Sequence, residues 1–386
     1  MSNLSKMQKN KPKIIHVIWF LGYGGAEMLL TNLLPKIKSY GFDIRLVTLS
    51  DNNPLGPRLR QKGCSITALG CPTGSLYRVN RWLPIGYKLH KFLKSVRPEI
   101  IHTHIYRADI LTRIFAPPNT KIITTLHNTE PWWSCSSTHF KIKTFVETKL
   151  AKYRKVDFIA VSESVAERAV EVFRLHPDRI QIVYNGIDLA QFPIRDIDFP
   201  KRFLKIIQVG RMEPQKGHDV SLSAFKLLLS EIPDATLLFV GDGPLRKQLE
   251  MKAEEIGILG KVKFLGTRDD VPKILKEASL FWMPSRFEGF GIALLEAMAS
   301  QLPTVSTNVG GLSKIVVNGV TGFLIPPDDP VALSQASIKI LKSPSLAKSM
   351  GAAGRRRVEE LFSLDRTTME YCSIYENILK HGKFYK

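Results

Sequence analysis

Short runs rich in Val, Ile and Phe alternate with helical patterns along the whole chain, and this alternation restrains its fold more than any other feature. In the first half the runs are KIIHVIW (13–19), DIRLVTL (43–49), EIIHTHI (99–105), KIITTLH (121–127), DFIAVS (157–162) and IQIVYNG (180–186). Near-continuous apolar runs mark strands buried on both faces, and strands separated by helices pair in parallel. Residues 187–202, IDLAQFPIRDIDFPKR, show neither periodicity and are punctuated by proline, which marks a linker. The rhythm then restarts with FLKIIQVG (203–210), TLLFVGDG (236–243), VKFLG (262–266), SLFWMPS (279–285) and TVSTN (304–308). The expected fold class is α/β: two doubly wound domains in series, residues 1–190 and 191–363, whose parallel sheets face a central cleft. Such sheets bind ligands at the carboxyl ends of their strands. A last helical segment, within 364–386, is expected to cross back to the first domain.

Two domains also suit 386 residues, enough for each half to bury its own core. The four cysteines, Cys64, Cys71, Cys135 and Cys372, form no CxxC pair and have no histidine at metal-ligand spacing, which points to a reducing compartment. No stretch approaches the ~20 apolar residues that span a bilayer. The start, MSNLSKMQKNKPK, reads as a basic tail ahead of the first strand and not as a signal peptide. A cytoplasmic protein is expected.

The net charge of +20 is uneven: residues 1–192 hold 28 Lys and Arg against 13 acids, and residues 193–386 hold 27 against 22. Such a field favours an anionic partner on the first half: nucleic acid, anionic lipid or a phosphate-bearing substrate. No zinc-finger spacing or RNA-binding signature accompanies it, so nucleic acid is the weakest of the three.

Three segments carry chemistry. After the first strand comes Leu21-Gly22-Tyr23-Gly24-Gly25-Ala26-Glu27. Its glycines let backbone approach a ligand, and the helix that follows aims free N–H groups at the same place. A full GxGxxG is missing, which weakens a dinucleotide-dependent oxidoreductase. The second is Gly210-Arg211-Met212-Glu213-Pro214-Gln215-Lys216-Gly217, between a strand and a helix. Arg211 as a fork and Lys216 as a point charge suit a departing diphosphate. The third is Glu288-Gly289-Phe290-Gly291-Ile292-Ala293-Leu294-Leu295-Glu296, where a glycine-flanked turn opens a helix between two carboxylates. The turn's amides suit a phosphate, and a carboxylate accepts paired hydroxyl groups of a ribose or hexose.

Together the runs GGAE (24–27), TLHN (125–128), YNGID (184–188), GRMEPQKG (210–217), FVGDGPLR (239–246), FLGTRDDV (264–271) and EGFGIALLE (288–296) resemble glycosyltransferase family 4 in order and spacing, from Gly24 to about Pro327. The resemblance implies the GT-B fold, two Rossmann-like domains, and transfer of a hexose-type sugar from a nucleotide-diphosphate donor with retention of configuration. It implies no divalent metal and no other cofactor. Arg211 and Lys216 match the pair that binds the donor diphosphate, Glu288 the acid near the transferred sugar, and Glu296 the acid on the nucleotide ribose. Gly24 and Gly25 match the glycine loop facing donor phosphate and sugar, and His127 the histidine on the first-domain side of the sugar. Gly289, Phe290 and Gly291 form the donor turn, and Arg268 stands with Asp269 and Asp270 in the loop expected near the nucleobase. One departure stands out: the family usually has an acid where Gly310-Gly311-Leu312-Ser313-Lys314 places Lys314, which leaves donor preference open.

The acceptor is expected on the first domain. Residues 78–97 are basic without an acid, and Leu89, Phe92, Leu93 and Val96 form one helical stripe flanked by Lys88, Lys91 and Lys94. A basic amphipathic helix of this kind lies on an anionic membrane, and Trp132, Trp133, Phe140, Lys141 and Lys143 would extend it. The competing reading packs the stripe on the sheet. With the charge imbalance, a lipid-linked acceptor in bacterial surface-polysaccharide assembly is expected, ahead of a small soluble acceptor or a sugar-nucleotide-binding protein without turnover.

Overall fold

A computed structural model of the chain describes residues 11–71, 82–128, 138–194, 204–382 and 384. Two compact units emerge: Met1–Asn185 with Leu364–Lys386, and Gly186–Ser363. Both are α/β, as the alternation of segments requires.

In the first unit the strands are β1 (Lys13–Ile18), β2 (Asp43–Ser50), β3 (Ser65–Cys71), β4 (Ile100–His104), β5 (Lys121–Leu126), β6 (Asp157–Ala160) and β7 (Ile180–Ile182). They pair in parallel in the order β3-β2-β1-β4-β5-β6-β7. Helices α1 (Gly25–Ser39), α2 (Gly56–Gln61), α3 (Trp82–Val96), α4 (Tyr106–Phe115), α5 (Thr138–Tyr153) and α6 (Glu163–Phe173) connect them, and α14 (Leu364–His381) belongs to the same unit. α6 starts where Ser162 accepts a hydrogen bond from the Val165 N–H at 3.3 Å, satisfying one of the free donors of a helix start.

One face of this sheet is apolar. Ile15, Val17, Ile101, Ile122 and Phe158 pack against Leu89 and Leu93 of α3 and Leu111 of α4, with Phe92 and Val96 against the same cluster. This corrects the membrane stripe expected on α3: Leu89, Phe92, Leu93 and Val96 cover the sheet, because the sheet face opposite them is itself apolar and the contact removes both surfaces from water. Its outward side instead carries Leu83 and Tyr87, 67% and 65% exposed, with Lys91 and Lys94. Trp132, Trp133 and the side chains of Phe140, Lys141 and Lys143 lie outside the described residues, as do 195–202 of the expected linker. The other face of the sheet carries His16, His102 and His104, all fully buried.

In the second unit β8 (Lys205–Val209), β9 (Thr236–Val240), β10 (Val262–Phe264), β11 (Leu280–Met283), β12 (Thr304–Thr307) and β13 (Phe323–Ile325) pair in parallel in the order β10-β9-β8-β11-β12-β13. Around them lie α7 (His218–Leu228), α8 (Arg246–Glu255), α9 (Val271–Lys276), α10 (Ile292–Ala299), α11 (Leu312–Ile315), α12 (Pro330–Leu341) and α13 (Pro344–Leu361). α12 and α13 begin with proline behind a capping side chain, Asp329 to the Ala332 N–H at 2.8 Å and Ser343 to the Leu346 N–H at 3.4 Å. Phe239, Trp282 and Val305 pack against Phe225 of α7 and Leu333 of α12. The indole of buried Trp282 donates to Ser337 at 2.7 Å, so its one polar atom is satisfied. Among the described residues no helix is long and apolar enough to cross a membrane.

Candidate active site

The carboxyl end of β8 opens into the loop Gly210–Gly217. Met212 is fully buried and its N–H donates to the Asp242 carbonyl at 3.0 Å. This pins the loop from below and leaves Arg211 at the surface. Gly217 sits at φ +64, and a Cβ there would stand 2.1 Å from the Pro284 carbonyl oxygen, so only glycine lets the loop close on the end of β11. Gln208 bridges loop and helix: its Nε2 donates to the Lys216 carbonyl at 2.7 Å, and its Oε1 accepts from the Ser221 hydroxyl at 2.6 Å.

Lys216 is thereby aimed at Glu288. Its Nζ donates to Glu288 Oε2 at 2.6 Å, with only 16% and 14% of the two side chains exposed. Arg211, on the same loop, is different: its guanidinium lies 2.7 Å from the Glu213 carboxylate, and 65% of the side chain is exposed. It is placed to meet a ligand from solvent.

Arg286, which carried no role in the sequence reading, holds this arrangement together. Its N–H donates to the Gln215 carbonyl at 2.8 Å. Its guanidinium bonds Asp219 at 2.6 and 3.1 Å, Asp328 at 2.8 Å and the Pro214 carbonyl. The partners come from two stretches far from Arg286 in sequence, residues 214–219 and Asp328, so no local pattern announces them.

Backbone contacts cradle the residues that follow Glu288. Gly310 is at φ +51, and a Cβ there would fall 1.9 Å from the Glu288 carbonyl oxygen; at Gly311 it would fall 2.6 Å from that of Gly289. The Gly311 N–H donates to the Glu288 carbonyl at 3.3 Å. Lys314, in place of the usual acid, is exposed on α11, and the glycine cradle holds without it. Gly310→Ala is expected to cost about 2–3 kcal/mol in a denaturant titration through positive-φ strain and the carbonyl collision; an unchanged midpoint would show that the cradle yields freely. Gly291, at φ +106, is the N-cap of α10. The Phe290 ring is buried against Phe362 (centroids 5.6 Å, 72°), so what Phe290 has for a ligand is its backbone. Glu296 lies half-buried in the second turn of α10. Arg268 forks onto Asp270 at 2.7 and 2.8 Å on an exposed loop.

In the first unit Gly24 is the N-cap of α1, and a Cβ there would meet the Glu27 carboxylate at 2.3 Å. A larger residue there would displace the buried Glu27 carboxylate. Gly25, the first residue of α1, is exposed. His127 follows β5 directly and is half-buried, with Nε2 3.2 Å from His104 Nδ1. Burial lowers its pKa to about 4, so the ring is neutral at pH 7.

Two doubly wound units with charged and glycine-rich loops at the strand ends are a frame on which phosphorylated ligands are commonly bound. The chain belongs to the glycosyltransferases of family 4. The model described as "Glycosyltransferase Family 4" matches residues 23–191, and that described as "Glycosyl transferases group 1" matches residues 192–357. N-acetyl-alpha-D-glucosaminyl L-malate synthase of Bacillus anthracis is 30% identical, with 96% of this chain and 98% of that protein covered. UDP-Gal:alpha-D-GlcNAc-diphosphoundecaprenol alpha-1,3-galactosyltransferase of Escherichia coli is 28% identical, with 87% and 89% covered. Among solved structures, HepE of Anabaena in complex with UDP and glucose is 18% identical and superposes with a TM-score of 0.82, covering 95% of this chain and 100% of that one. The fold is therefore GT-B.

Proposed function

We propose that this glycosyltransferase moves a hexose-type sugar from a UDP- or GDP-sugar to a lipid-linked acceptor of surface-polysaccharide assembly, retaining configuration and needing no divalent metal. The observation that carries the reading is the Lys216–Glu288 pair, held at 2.6 Å by Gln208, Gly217 and the Gly310-Gly311 cradle. A shielded ammonium beside a carboxylate suits a sugar diphosphate: the cation takes the developing charge on the diphosphate, and the acid takes sugar hydroxyls. Arg211 adds a second cation from the same loop, which supplies without a metal the charge a metal would otherwise bring. A diphosphate oxygen on the same face of the sugar accepts the proton of the incoming hydroxyl, so no separate base is required. Glu296 holds the ribose and His127 contacts the sugar.

A screen of UDP- and GDP-sugars by thermal shift tests the donor. A specific donor at a hundred times its dissociation constant stabilises by about 2.7 kcal/mol, and transfer is expected to persist in EDTA. No shift with any nucleotide sugar defeats the reading, and loss of transfer in EDTA defeats its metal-free form.

The lipid-linked acceptor draws support from the E. coli relative, whose name carries a diphosphoundecaprenol acceptor. Leu83, Tyr87, Lys91 and Lys94 on the outward side of α3 suit an anionic surface. Flotation with anionic liposomes at low salt is expected to carry the protein, and Leu83→Ser with Tyr87→Ser to abolish it. A small acceptor is the second reading, favoured by the L-malate in the name of the Bacillus relative; absence of flotation would select it.

A further inference from the structure

Beneath α14, one face of the first sheet holds four histidines in a continuous hydrogen-bonded line. His16 on β1 and His102 on β4 stand in register, and His104 lies two residues further along β4 on the same side. From one end, Tyr371 Oη is 3.2 Å from Thr125 Oγ1, and Thr125 Oγ1 is 2.7 Å from His102 Nε2. His102 Nδ1 is 2.7 Å from Tyr375 Oη, which is 3.3 Å from His16 Nε2. His16 Nδ1 is 2.9 Å from His104 Nε2, and His104 Nδ1 is 3.2 Å from His127 Nε2.

The ligand atoms of His16, His102 and His104 lie within 4.8 Å of one another, the clustering of a metal site. All six of their ring nitrogens, however, already have a hydrogen-bond partner, and those partners are histidine, tyrosine and threonine. The cluster has the make-up of a wire. We propose that Tyr375, His16 and His104 are positioning residues that fix which ring nitrogen of His127 carries its proton, and so whether that residue accepts from or donates to the sugar it meets.

Burial lowers the pKa of His16 to about 3 and takes His102 and His104 well below the usual histidine value, so every ring is neutral at pH 7. A neutral imidazole donates from one nitrogen and accepts at the other, which makes each ring dictate the next. The single hydrogen of Tyr375 sets the direction. Its oxygen is 2.7 Å from His102 Nδ1 and 3.3 Å from His16 Nε2, so it donates to His102 and accepts from His16. His16 then carries its proton on Nε2 and accepts at Nδ1 from His104 Nε2–H. His104 in turn accepts at Nδ1 from His127 Nε2–H. All four rings take the Nε2–H form, and the nitrogen left for a ligand is His127 Nδ1, an acceptor. A sugar hydroxyl donates to it.

The inference rests on His127 as the sugar contact, but its first test does not. In full-length protein labelled with ¹⁵N-histidine, the ring nitrogens of His16, His102, His104 and His127 are expected to report the Nε2–H form at pH 7. Any of them protonated on Nδ1, or carrying both protons, overturns the wire as described. Tyr375→Phe leaves the His16 Nε2–H without an acceptor. The three rings downstream relieve this by moving their protons to Nδ1, so that His127 presents a donor instead. The expected result is a switch of the His127 ring signature, with transfer falling about tenfold or more in kcat while donor binding by thermal shift stays nearly unchanged. An unswitched His127 in folded Tyr375→Phe overturns the proposal. A switch with unaltered transfer keeps the wire and removes His127 from the donor site, so the two failures are told apart.

Discussion

Lys216→Ala is expected to lower turnover by about 10²-fold or more in a chain that still folds, the usual cost of losing one preorganised contact to developing charge. The pair geometry adds a second consequence. Glu288 is 14% exposed and has Lys216 Nζ at 2.6 Å, so removing the ammonium leaves a shielded carboxylate facing an incoming anion. Part of the loss is therefore repulsion created by the substitution. The double variant Lys216→Ala with Glu288→Gln should be less impaired than the product of the single effects, by about 1–2 kcal/mol of coupling in kcat/KM. Arg211→Ala separates catalysis from folding more cleanly. Its ion pair with Glu213 is largely exposed, and such pairs contribute about 0–1 kcal/mol to stability. A large fall in turnover with an unchanged melting temperature is expected there. Wild-type-like turnover in both single variants removes the two cations from the mechanism.

Acid is expected to unfold the protein well above the pH at which carboxylates titrate. His16, His102 and His104 are fully buried and His218 nearly so; both ring nitrogens of His218 lack a protein partner. Burial lowers the pKa of His16 and of His218 to about 3 and takes His102 and His104 well below 6.5. The unfolded chain, with ordinary histidines near 6.5, binds protons that the folded chain refuses. Stability is therefore full above pH 6.5 and falls as pH falls towards 3. Between pH 7 and pH 5.5 each such histidine withdraws about 1 kcal/mol, so together they remove several, a large share of a typical folding free energy. His127, lowered to about 4 by burial, acts in the same direction. Urea titrations at pH 7.5 and 5.5 check this. Coincident midpoints would mean that these rings are charged in the folded chain.

The Gly210–Gly217 loop was legible in the sequence because its parts are contiguous: strand, glycine, two cations, glycine and helix occupy residues 205–228 in one run. Glu288 was legible for the same reason, through the turn that opens α10. Arg286 lay in plain view two residues before Glu288, yet its partners Asp219 and Asp328 are distant in sequence, and nothing local distinguishes it from a solvated arginine. The histidine wire had a weak signal. A strand buried on both faces should read as continuous apolar residues, and EIIHTHI breaks that rule at alternate positions, which puts both rings on one face. His16 breaks the apolar run KIIHVIW in the same way, but a single interruption gives no periodicity.

The sequence by itself determined the α/β class, the restart of the rhythm and the family, because strand and helix periods, glycine turns and motif spacing are local properties that each segment states alone. Only the tertiary structure decided that the α3 stripe covers the sheet, that Lys216 meets Glu288, and that Tyr375 closes a line of rings running to His127. Those facts depend on which faces find one another across hundreds of residues, and burial, which sets both the packing and the neutrality of the histidines, exists only once they have.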